Sequence, residues 1–247
     1  MANVNQGGSA TGTATLGEAE LFAAAPLSAS GTVVSTGTLN NTGTIIGTVT
    51  LLAGTGLVND AGATITGYAY APSGNTSGVT VTNLGVIANT ATTFGYGVRE
   101  FYTGSVTNGS VSDATASIAG FSGGIYLGGS LGAVVNYGTI TGTGATGDNA
   151  VFVNRGSVAN LGTAAVISGA SAGVLVWYSG SVVNQGTIRS QGHSVLPWRT
   201  ALMAFCGYAE KWSNASAGAR PRRRMRVRAA LRRAASTWGA APVRVRP

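Results

Sequence analysis

Apolar positions in this chain recur in short runs, and the runs repeat. The clearest copy is Gly180-Ser181-Val182-Val183-Asn184-Gln185-Gly186-Thr187-Ile188. After each repeating Asn comes a β-branched run such as Gly43-Thr44-Ile45, Gly138-Thr139-Ile140 or Gly186-Thr187-Ile188, with Ala63-Thr64-Ile65 and Gly85-Val86-Ile87 as variants. Before the Asn stands a second run: Gly104-Ser105-Val106, Gly156-Ser157-Val158 and Gly180-Ser181-Val182. Further upstream is a third and more apolar one, seen at Gly124-Ile125-Tyr126-Leu127, Ala150-Val151-Phe152-Val153 and Gly173-Val174-Leu175-Val176-Trp177. Each run is too short for a helix and rich in Val, Ile, Thr and aromatics, so each predicts a strand.

The repeating Asn residues are Asn41, Asn59, Asn83, Asn108, Asn136, Asn160 and Asn184. Their spacing of roughly two dozen residues falls in the range of solenoids and propellers. Three short strands per repeat, each followed by a turn, predict an all-β fold, one coil of a three-sided β-solenoid per repeat. Glycine at the corners supplies conformations closed to other residues. If each coil stacks on the last, the Asn amides form a structural ladder at about 4.8 Å. About seven coils rise roughly 35 Å.

Three segments follow. Residues 1–29 read as an N-terminal cap or imperfect first coil, residues 30–190 as the repeat region, and residues 191–247 as a basic low-complexity tail, unstructured or irregular. In the tail the motif lapses after Arg189. Three of the four Trp, the lone His193, the lone Cys206 and nearly all Arg cluster there.

Charge sharpens this division. The net charge of +8 conceals two opposite halves. Residues 1–188 carry two Arg against six acidic groups, a net of −4, while residues 189–247 carry thirteen basic residues against Glu210, a net of +12. Such asymmetry points to a tail that binds nucleic acid, if the tail is genuine protein. A divergent domain is a second reading. A third is translation out of frame, because shifted GC-rich triplets encode Arg, Ala, Gly and Pro. The repeat region holds no cysteine, which excludes disulfides and thiolate metal sites there.

The Gly-Ser-Val-x-Asn-x-Gly-Thr-Ile coils resemble the passenger regions of bacterial autotransporters and related surface adhesins. The resemblance covers roughly residues 30–188. It implies a right-handed parallel β-helix displayed outside a Gram-negative cell by type V secretion. Neither a secretory signal nor an outer-membrane barrel is legible in the chain, nor a run long enough for a transmembrane helix. The expectation is therefore a passenger fragment whose own export is in question.

Chemistry is sparse. Parallel β-helices also carry polysaccharide lyases and hydrolases, which need clustered carboxylates. Here Asp60, Glu100, Asp113 and Asp148 are scattered over different coils. Asp113 and Asp148 read as solvated turn residues. Glu100 aligns with Leu127, Phe152 and Val176 on an inward column, and the cost of burying an unpaired carboxylate predicts a register shift or exposure there. No catalytic, cofactor or metal residue is assigned, and no enzyme activity is expected.

The third strands offer one candidate binding strip. Alternation sends Arg99, Tyr126, Val151 and Leu175 outward, followed two residues later by Phe101, Val153 and Trp177, against an inward column of Val98, Ile125, Ala150 and Val174. Phe101, Tyr126, Leu175 and Trp177 then form an exposed surface for a host-surface or glycan ligand. The leading expectation is a non-catalytic adhesive module. A β-helical carbohydrate-active enzyme and a nucleic-acid binder acting through the tail are the alternatives. Uncapped solenoid ends also predict self-association.

Overall fold

The computed structural model describes residues 10–16, 21–22, 29–35, 37–71, 78–144, 149–191, 203–205 and 208–214. These fall within one unit, Met1–Ser216. The described residues form an all-β parallel solenoid of about six turns, without helices.

Each coil contributes to three stacks of parallel strands. The first, called here the isoleucine sheet, aligns Ile45, Ile65, Ile87, Ile118, Ile140, Ile167 and Ile188 in strict register. All seven are no more than 2% exposed. Burying one such side chain contributes roughly 1.5–3 kcal/mol relative to leaving it in water. The second, the aromatic sheet, aligns Val49, Ala69, Val98, Ile125, Val151 and Val174 on its inner side. The third, the asparagine sheet, aligns Leu57, Val81, Val106, Val134, Val158 and Val182. Three apolar columns thus meet in one continuous core.

In some coils one strand serves two sheets without a break between them. Thr44–Leu51 and Thr64–Ala71 each run from the isoleucine sheet into the aromatic sheet as one strand. The bend falls at Gly47 and Gly67, whose φ values are 136° and 153°. At Gly67 a Cβ would collide with the Gly47 carbonyl of the coil below, so a side chain is excluded by the stacking itself. Asn149–Asn160 and Ala172–Asn184 likewise run unbroken from the aromatic sheet into the asparagine sheet, with a register irregularity between Val153 and Arg155.

The stacks extend beyond the legible repeat at both ends. Ala10–Leu16 pairs in parallel with Ala29–Ser35, and Leu21–Phe22 pairs with Leu39 and Asn40. Past Arg189, Met203–Phe205 pairs with residues 174–176, and Tyr208–Asn214 pairs with residues 179–184, placing Asn214 level with Asn184. Backbone pairing therefore carries on where the Gly-Thr-Ile signature has lapsed. His193, Cys206 and the Arg-rich segment from Arg220 onward lie outside the described residues.

Two sequence expectations need correction here. Glu100 neither shifts register nor reaches solvent: it pairs in register with Leu127 and is 1% exposed. The flanking pairs Val98 with Ile125 and Arg99 with Tyr126 hold it in place. In the next coils its column continues through Val153 and Val176, not through Phe152. Val151 and Val153 accordingly point inward, at 0% exposure, and Phe152 takes the outward place expected of Val151.

Candidate functional site

The outer side of the aromatic sheet is the candidate surface. Parallel in-register stacking sets equivalent residues of successive coils about 4.8 Å apart, which falls in the range of centroid separations of packed aromatic rings. Arg99, Tyr126, Phe152 and Leu175 share one outward row across four coils. The Tyr126 and Phe152 rings are stacked, with centroids 4.7 Å apart and planes 7° from parallel. Tyr96 adds a ring at 5.2 Å from Tyr126, and Phe101 meets Tyr126 edge-on at 5.8 Å. On the other side Phe152 leads to Trp177 at 6.4 Å, and Trp177 meets Tyr178 edge-on at 6.5 Å.

The strip is therefore uneven in what it presents. Phe101, Tyr126 and Leu175 are half-buried, and the faces of the central rings are turned to one another. Trp177 and Tyr178 stand at 41% and 52% exposure. A partner approaching the strip meets ring edges in the middle and free ring surface at the Trp177 end.

Both arginines of residues 1–188 lie on this surface. The Arg99 guanidinium carbon sits 4.5 Å from the Phe101 ring centroid, 5.3 Å from Phe94 and 5.9 Å from Tyr96 and from Tyr126. Such packing over π faces is favourable for a cation with little hydration. Arg155 lies 5.2 Å above Tyr178. Beside Arg99 a cleft of about 320 Å³ opens between the start of the strand Tyr96–Glu100 and the preceding loop. Tyr68, Asn89, Ala91, Phe94, Gly95, Tyr96 and Arg99 line it. Asn89 clasps the loop: its Nδ2 donates to the Tyr96 carbonyl and its Oδ1 accepts from the Ala91 amide.

No family model, curated protein or solved structure matches this chain.

The repeating asparagines occupy the corner between the asparagine and isoleucine sheets. Asn41, Asn59, Asn83, Asn108, Asn136 and Asn160 are buried. Each donates from Nδ2 to the Oδ1 of the next, over 2.7–2.8 Å, ending on Asn184. The same Nδ2 groups also reach carbonyls of their own turn, as Asn136 does to Gly138, and of the strand above, as Asn136 does to Val166. The amides bond to one another through Oδ1 and to backbone carbonyls through Nδ2, which makes these residues structural cement rather than a recognition surface.

Glu100 is a different matter. Both carboxyl oxygens are buried without a hydrogen-bond partner. Burial raises its pKa from the ordinary 4.5 to about 8, so at neutral pH it is mostly a neutral acid. Its carboxyl fills the space where a Cβ on Gly104 would fall. Leu127 presses on Gly132 in the same way one coil later, where a Cβ would come within 3.0 Å of it. Gly104 and Gly132, which open two successive strands of the asparagine sheet, are thus seats for the side chain that ends the preceding strand.

Asp113 is held below the usual carboxylate range by hydrogen bonds from the Thr115 hydroxyl and amide. It closes a small turn through the Ser110–Asp113 bridge. Asp148 lies outside the described residues. Glu100 and Asp113 therefore have separate roles, one inside the core and one in a turn.

Phe94, Tyr96, Arg155 and Tyr178 were not singled out by the strand pattern. Phe94, Arg155 and Tyr178 sit in turns or at the junctions between sheets, where alternation gives no direction. The signal that could have found Phe94 and Tyr96 is the rise in aromatic residues between positions 94 and 102.

Proposed function

We propose that this chain is a non-catalytic surface module whose solenoid holds a row of aromatic and cationic side chains against a partner. The observation that supports this reading most is the continuous outer series Tyr96, Tyr126, Phe152, Trp177 and Tyr178, running across successive coils and ending in exposed rings. Exposed aromatic clusters on a rigid sheet favour binding, because the side chains have little rotamer entropy left to lose. The resemblance of the coils to autotransporter passengers extends the reading to display at a bacterial surface and contact with a host or glycan ligand.

The test is adhesion by the purified full chain. Labelled protein is applied to a glycan array and to a panel of host cells, beside the variants Trp177→Ala and Tyr178→Ala. The reading requires saturable retention on some surface, weakened in both variants while far-UV circular dichroism is unchanged. Retention that is indifferent to both substitutions would sink it. Release of unsaturated or reducing ends from a polysaccharide panel would instead favour an enzyme.

A further inference from the structure

We propose that the cleft beside Arg99 is a binding site for a carboxylate carried on a single six-membered ring. This rests on the reading of the aromatic sheet as a binding face and names the ligand chemistry at its Arg99 end.

Four observations converge. The cleft is concave and about 320 Å³, at the small end for organic ligands, so it takes one ring rather than a chain. Its walls are Phe94 and Tyr96, which suit the flat or apolar face of a ring. Its charge is positive, because Arg99 lines it and no described residue forms an ion pair with that guanidinium. Glu100 cannot neutralise Arg99, since it points into the core on the opposite side of the strand and carries its proton near pH 7.

The fourth observation concerns hydrogen bonding. Arg99 Nε is buried and has no partner. Aromatic rings surround the guanidinium and supply π faces, but they accept few hydrogen bonds. A carboxylate at the cleft would give the guanidinium a charge-assisted partner that none of its described neighbours supplies. The Asn89 side chain stands on the same wall and can read a ring hydroxyl with the amide hydrogen that its clasp on Tyr96 leaves over. A neutral sugar would lack the charge pairing. Inorganic sulfate would lack contact with the aromatic walls.

Isothermal titration of the full chain with glucuronate, benzoate, glucose and sulfate tests the site. Binding of glucuronate, benzoate or both, with glucose and sulfate weaker by roughly tenfold or more, supports it. Glucuronate alone identifies an acidic sugar as the source, and benzoate alone an aromatic acid. Arg99→Gln should weaken the acidic ligand by roughly tenfold or more, and Arg99→Lys should weaken it less. Arg189→Gln, on the isoleucine sheet and away from the cleft, should leave it unchanged. Equal binding of glucose and glucuronate, no binding of either acid, or full binding by Arg99→Gln would overturn the site. Adhesion that survives such a failure leaves the surface-module reading standing. Ring-acid binding without any adhesion removes that reading and keeps the cleft.

Discussion

Asn108 and Glu100 belong to the same coil, and both bury a polar side chain almost completely, at 0% and 1% exposure. One is fully engaged and the other is alone. Asn108 accepts from Asn83 and donates to Asn136, each over 2.7–2.8 Å, with further contacts to the Ala116 and Thr139 carbonyls. Glu100 has no partner for either oxygen. The difference lies in the chemistry of repetition. An amide carries donor and acceptor together, so identical amides stacked coil on coil satisfy one another. A carboxyl that occurs only once finds no such partner, because Leu127 in the next coil of its column is hydrocarbon. A solenoid can bury a polar group cheaply when the group is self-complementary and recurs, and at a cost when it occurs once.

The largest expected effect comes from breaking the satisfied column. Asn108→Ala removes both inter-coil bonds and leaves Asn83 and Asn136 short of a partner, for a loss of about 4 kcal/mol in unfolding free energy by denaturant titration. A loss below about 1 kcal/mol would mean that the amides are dispensable to the stack.

The next effect has the opposite sign. Glu100→Leu places in that coil the residue that Leu127 already places in the next, over the same kind of glycine seat. A raised carboxyl pKa means that the unfolded chain ionises first. Its ionisation therefore has no effect on stability below about pH 4.5 and lowers stability increasingly as pH rises toward 8, where the added loss levels off. At pH 7 the substitution should stabilise by about 3 kcal/mol, and thermal melts at pH 5 and pH 7 would show the gain growing with pH.

A smaller loss tests whether the outer aromatic row behaves like an inner ladder. Phe152→Ala removes a half-buried ring between Tyr126 and Trp177 and should cost about 2 kcal/mol by the same titration. Smallest of all, Arg155→Ala removes an exposed cation over Tyr178 and should cost about 0.5 kcal/mol. If Arg155→Ala cost as much as Phe152→Ala, the outer row would owe its order to the cation rather than to ring stacking.

The coils were readable from sequence where a side chain repeats with a fixed neighbour. The run Asn-x-Gly-Thr-Ile marks a corner, and Val, Ile and Thr alternate cleanly on either side of it. The reading failed at corners where alternation breaks. Ala150 and Val151 are both buried, so two successive residues face the core at the start of the strand Asn149–Asn160. Counting from Ala150 therefore put Phe152 and Val153 one place out. Glu100 was misjudged for another reason. Local cost argued for exposure, but register is set by the whole coil, and the adjacent pairs outweigh one carboxyl that can take up a proton. Period alone sends Phe101, Tyr126, Leu175 and Trp177 to an exposed outer strip; Trp177 is exposed and the other three are half-buried. The cleft at Arg99 could not be placed by period, because it depends on how the loop before Tyr96 folds back.

The most direct test of the contrast is the pH dependence of unfolding free energy for the wild type and Glu100→Leu between pH 5 and pH 8. The solitary buried acid requires the wild type to lose up to about 1.4 kcal/mol per pH unit relative to the variant across that window. Parallel curves for the two proteins would show that Glu100 finds solvent or a partner, and would contradict the account.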